Sequence, residues 1–205
     1  MLLVKIKLTK HLYLGVCPAF LHCGIFPGRI EKLICLDVIR PIPTITETID
    51  KRLRKTIQVL LKHEENIIAG SEKPISFEKA VQRSVMGSFE SLDEDASRIL
   101  LKRGLKEVEG GYVYRRDRRL LAAPLSFLPK QDLLHLARKV TADVLVIKYS
   151  EGPQFEPVDD FMEHIEALKT NSKNVRYVEV EGTHHAHLRH PERVSPFICE
   201  FLNSS

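Results

Sequence analysis

The chain has 205 residues, 43% hydrophobic and 28% charged, with 31 Lys and Arg against 27 Asp and Glu for a net charge of +4. That is enough for one well-buried domain with a subdomain set into it, and the composition excludes an intrinsically disordered segment. The basic residues are scattered among acids except at Arg115, Arg116, Arg118 and Arg119, so the clustered excess that a nucleic-acid partner requires is missing.

The first 26 residues combine lysines with an apolar stretch and superficially suggest a signal peptide. His11, Pro18 and His22 interrupt the stretch, no small-residue cleavage site follows, and nothing reaches the roughly 18 apolar residues of a membrane span. Core structure is expected instead. Leu2 to Leu8 alternates aliphatics with lysine, the period-two pattern of a strand. Val16 to Phe26 reads as a short buried helix ending at Pro27-Gly28, and Lys32 to Asp37 (KLICLD) as an interior parallel strand that ends in an acid. The four cysteines, Cys17, Cys23, Cys35 and Cys199, have no CxxC spacing and apolar neighbours, so free buried thiols are expected.

Pro41 and Pro43 then break the chain. A long helix is expected from Thr46 to about Glu65, with shorter ones from Ser76 to Met86 and from Asp93 to Arg103, where Gly104 closes the helix. Leu105 to Tyr114 alternates around Gly110-Gly111 as a small hairpin, and Lys130 to Lys139 returns to helix. The last third alternates strand and helix: DVLVIK from Asp143 to Lys148, a helix from Val158 to Lys169, a strand from Val175 to Val180, and a helix from Pro191 to Leu202. This order predicts an α/β fold with a mostly parallel sheet. Residues 1–40 and 129–205 form the core, and 41–128 form a mainly helical cap inserted between two of its strands.

In such sheets the working residues stand on loops at the carboxyl ends of strands. After the last strand comes Gly182-Thr183-His184-His185-Ala186-His187, where the glycine permits a sharp turn and His184 can reach over the sheet edge as a general base. His184, His185, His187 and His190 also invite a metal reading, but no zinc-type histidine pair with an intervening Glu occurs, so no metal is expected. After DVLVIK, Glu151 and Glu156 are each placed to orient the histidine as the acid of a triad. Asp37, after KLICLD, is the alternative acid. A nucleophile elbow would read G-x-S-x-G on a strained strand-to-helix turn, whereas the chain reads His11-Leu12-Tyr13-Leu14-Gly15.

Four stretches resemble the α/β-hydrolases and, within them, the serine hydrolase-like family: Phe26 to Asp37; Gly111 to Leu120, similar to a G-x-x-x-x-R-D-x-R-L cap signature; DVLVIK with its glutamate loop; and Gly182 to His187, similar to the G-x-H-x-x-H around the family's histidine. The resemblance implies hydrolysis of carboxylic esters or related acyl bonds without a cofactor. The implied ligand is a small apolar acyl or ester group, held by cap aromatics Phe77, Phe89, Tyr112 and Phe127. It implies a catalytic role for His184 and puts Tyr13 where the serine belongs, with the oxyanion loop and early strands absent. The expectation is therefore a C-terminal part of an α/β-hydrolase that is inactive as written, either a truncated product or a non-catalytic relative that binds an apolar ligand under the cap. A cytoplasmic location is expected; the resemblance also allows a peroxisomal one, although Asn203-Ser204-Ser205 is no Ser-Lys-Leu signal.

Overall fold

The computed structural model describes residues 12–43, 46–68, 73–88, 90–117, 120 and 128–204. The expected strand at Leu2 to Leu8 lies outside them. Helix α1 (Leu12–Ile25) starts four residues before the expected Val16 and tolerates Pro18 on its exposed side. Strand β1 (Lys32–Leu36) follows. After the prolines, a single 3-10 turn at Thr46–Thr48 leads into α2 (Ile49–Ile68). Helix α3 (Phe77–Met86) begins where the Ser76 hydroxyl accepts the Lys79 N–H at 3.2 Å, and α4 (Glu94–Gly104) where the Asp93 carboxylate accepts the Ala96 N–H at 2.8 Å. Next come β2 (Leu105–Val108) and β3 (Gly111–Tyr114), an antiparallel hairpin, and then α5 (Lys130–Ala137), β4 (Asp143–Glu151), α6 (Val158–Leu168) and β5 (Val175–Thr183). The expected terminal helix divides into a 3-10 turn at Pro191–Arg193 and α8 (Ser195–Asn203). Ahead of them lies a short helix not foreseen, α7 (Ala186–Arg189). Four residues make barely one turn, too few for a periodic pattern to register.

The chain divides into two compact units, residues 1–43 with 128–205, and residues 44–127. In the first, the described strands form a parallel sheet of order β1-β4-β5. Central β4 is buried on both faces, which accounts for its unbroken apolar run. Val144 and Val146 pack with Phe20 of α1, Leu133 of α5 and Ile165 of α6, while Leu145, Ile147 and Tyr149 pack with Ala186 of α7 and Phe201 of α8. All four cysteines are free. Burial pushes the Cys17 and Cys23 thiols up to about 11 and Cys35 higher still, whereas Cys199 is exposed rather than buried.

The second unit has its own small core of Ala80, Val81, Leu101 and Leu105. Phe77 and Tyr112 pack on it in edge contact, ring centroids 5.7 Å apart. Arg116 lies over the Tyr114 ring at 5.0 Å, while Arg118 and Arg119 lie outside the described residues. Among the described residues no helix is long and apolar enough to cross a membrane.

Candidate active site

Asp37 follows β1 in a left-handed backbone conformation (φ 66°), and its N–H donates to the Ile147 carbonyl at 2.6 Å, extending the ladder by one residue. Its carboxylate is buried and fully engaged. Oδ1 accepts the Lys148 ammonium at 2.6 Å and the Tyr149 N–H at 3.3 Å, and Oδ2 lies 2.6 Å from Nδ1 of His184. Burial, the largest single influence, pushes the Asp37 carboxyl up. The hydrogen bonds and charges of His184 and Lys148 together outweigh it and hold the group below its ordinary range. An ionised carboxylate only accepts, so Nδ1 of His184 carries the proton and Nε2 keeps the lone pair in the neutral ring.

His184 comes from the turn after β5. That strand runs on past the expected Val180 because, beyond a register shift after Tyr149, Glu151 still pairs with Thr183. Gly182 adopts φ 136°, where a Cβ would stand 2.7 Å from that of Ala186, and its N–H donates to the Ser150 hydroxyl at 3.2 Å. The neighbouring His187 lies over the Tyr149 ring, centroids 6.4 Å apart. Burial first, and then the charge of His184, lower it to about 4. Among the described residues no group of three His, Cys, Asp or Glu side chains could hold a metal ion.

Neither glutamate expected near the histidine is bonded to it. Glu151 is exposed at the end of β4, and Glu156 accepts the guanidinium of buried Arg40. The reason is electrostatic: Arg40, on the loop after β1, needs a counter-charge, and Glu156, just ahead of α6, is within its reach. Tyr13 falls in the first turn of α1, and its side chain lies outside those described. Phe77 and Tyr112 serve the core of the 44–127 unit, and Phe89 and Phe127 lie outside the described residues. A cavity of about 220 Å³ instead opens beside Asp37 and Lys148, with Ile39, Ile42, Phe155, Phe161 and Met162 in its wall. Sequence reasoning missed Lys148 and Arg40. The signal for Lys148 was available, a lone charge in an apolar strand.

Gly152 is where the loop after β4 passes the carboxylate; a Cβ there would lie 2.2 Å from Asp37 Oδ1. Gly152→Ala is expected to cost about 1–3 kcal/mol in urea unfolding, as overpacking does, and to displace Asp37 from His184. Wild-type stability in this variant would contradict the close approach.

No protein-family model matches the chain. It is 31% identical over 195 residues to a probable serine hydrolase of Drosophila melanogaster, covering 94% of the chain and 58% of that protein. It is 30% identical over 186 residues to a serine hydrolase-like protein of Danio rerio (90% and 56%), and 28% identical over 208 residues to serine hydrolase-like protein 2 of Homo sapiens (97% and 65%). The chain thus spans less than two thirds of the length of these relatives. Among solved structures, it matches a hypothetical protein of Pseudomonas aeruginosa PAO1 with a TM-score of 0.70 and 25% identity, over 92% of the chain and 63% of that protein. It matches a Mycobacterium tuberculosis esterase with a TM-score of 0.62 and 17% identity (93% and 60%). With its parallel sheet and crossover helices, the chain has the α/β-hydrolase fold. Within that fold it is a homologue of the serine hydrolase-like proteins.

Proposed function

We propose that this chain carries the base and the acid of a serine-hydrolase site for carboxylic esters or related acyl bonds. The observation that carries the reading is the 2.6 Å contact between His184 Nδ1 and Asp37 Oδ2, made across β4 by residues at the ends of β1 and β5. In the reaction, Nε2 of His184 takes the proton of the attacking hydroxyl and then gives it to the leaving group. Asp37 fixes the tautomer and stabilises the imidazolium. Residues 44–127 form the cap in this reading. The names of the relatives support the reaction class.

The chain as written holds Tyr13 at the position that the resemblance gives to the serine. A phenol with an ordinary pKa near 10 is a poor and bulky substitute at an elbow, so the chain alone forms no acyl-enzyme. The expected result is no labelling by a fluorophosphonate probe and no turnover of p-nitrophenyl esters. Turnover that is abolished by His184→Ala would overturn the inactivity. The cavity beside Asp37 favours a second reading, a non-catalytic protein that binds a small apolar acyl group; an ester that raises the melting temperature without being turned over is the result that reading expects.

A further inference from the structure

From Val144 to Tyr149, Lys148 is the single charged side chain in a strand of otherwise buried residues. Its ammonium spends its donors on the two loops that build the site: Asp37 Oδ1 at 2.6 Å, the Asp37 carbonyl at 3.5 Å and the Pro153 carbonyl at 3.2 Å. The carboxylate is thereby divided, Oδ1 for Lys148 and Oδ2 for His184. Gly152 closes in on the Oδ1 side so tightly that not even a methyl group fits between. A carboxylate's terminal torsion is soft and roughly two-fold, so without Lys148 only the longer Tyr149 N–H bond, at 3.3 Å, would hold Oδ1 in place.

We propose that Lys148 is a positioning residue for the His184–Asp37 pair, clamping Oδ1 so that Oδ2 faces Nδ1 and keeping the carboxylate charged. This rests on the reading of that pair as base and acid. Its chemistry differs from that of a triad in which the histidine alone shares the acid's charge. Here the carboxylate shares its charge between the Lys148 ammonium and His184, so Asp37 both orients the imidazolium formed during turnover and compensates part of its charge. The ionisable groups around the Asp37 carboxylate are Lys148 and Tyr149 of β4, and His184 and His187 from the segment after β5.

The test is nuclear magnetic resonance on the whole chain with labelled histidine and aspartate, and needs no activity. Wild-type protein should show a strongly deshielded, exchange-protected His184 Nδ1 proton, lost in Asp37→Asn. In Lys148→Met that proton should exchange with water about tenfold faster, the equivalent of one charge-assisted bond, and the Asp37 carboxyl should titrate at higher pH. Lys148→Arg should restore both. A lysine that merely joins two loops would alter stability and leave the His184 proton and the Asp37 titration where they are; that outcome overturns the proposal. If the wild type itself lacks the deshielded proton, the base-and-acid reading fails instead. Should Lys148→Met not fold, Lys148→Gln takes its place: its amide donor should keep the His184 proton protected while loss of the charge raises the Asp37 titration, and an unchanged Asp37 titration overturns the proposal.

Discussion

Replacing Glu156 with alanine is expected to cost about 3–5 kcal/mol of folding stability, because it leaves a guanidinium buried without its counter-ion. The side chain of Arg40 is 2% exposed and that of Glu156 17%, so the two partners are not equivalent. Besides Glu156, Arg40 has the Pro41 carbonyl at 3.0 Å and Nδ1 of His164 at 2.9 Å, and its Nε has no partner among the described residues. None of these is an anion, and the nearby Asp160, whose charge acts on Arg40 less strongly than that of Glu156, is the main compensation left in Glu156→Ala. Removing both charges is a different matter. Arg40→Met combined with Glu156→Leu replaces the pair by apolar groups of similar volume and should recover most of the loss. Urea unfolding of the single and double variants decides the point. A single-variant cost below about 1 kcal/mol would class the pair with exposed ion pairs and refute its burial. The pair also ties the loop after β1, which carries Asp37, to the entry of α6.

That pairing shows where reading the chain by itself stops. The buried run Val144 to Ile147, the caps at Ser76 and Asp93, and the glycine turn before His184 are local signals, each written in a few adjacent residues, and all are found in the structure. The partner of His184 is not local. Asp37 and His184 stand 147 positions apart and meet because β1 and β5 flank the same central strand. Three acids at two strand ends, Asp37 after β1 and Glu151 and Glu156 at and after the end of β4, were all candidates until Arg40 and Lys148 were placed, and each of these cations claims one carboxylate. Charge pairing across a sheet depends on strand order and register, and a one-residue shift would send these side chains to the other face. The early end of the chain is different again. The apolar run predicts a helix from Val16 despite Pro18, and α1 starts at Leu12 and runs through that proline, which faces outward.

Stability is expected to fall in two separate windows as the solution is acidified, and His164 dominates the first. It is 1% exposed, and burial is the first cause that lowers it to about 4, with the Arg40 guanidinium second. A guanidinium only donates, so Nδ1 must present its lone pair to Arg40; the Asp160 carbonyl at 2.9 Å pulls the other way and is outweighed. In the unfolded chain the same imidazole protonates near pH 6.5. Between about 6.5 and about 4 the unfolded state therefore binds a proton that the folded state refuses, and stability drops by roughly 3 kcal/mol across that interval. Half-buried His187, also lowered to about 4, adds a smaller loss of the same sign. Asp37 acts below this range. Its folded value is depressed, so its contribution is complete above the ordinary carboxylate value and disappears only as the pH falls through the depressed one. Urea midpoints measured from about pH 7 to well below the ordinary carboxylate range should trace both steps. His164→Gln, which keeps an acceptor for Arg40 but cannot titrate, should remove most of the first step and leave the second. A wild-type midpoint that stays level from about pH 6.5 to about pH 4 would mean that His164 accepts its proton in the folded protein as readily as in water, and that the Arg40–His164 contact is not made as described.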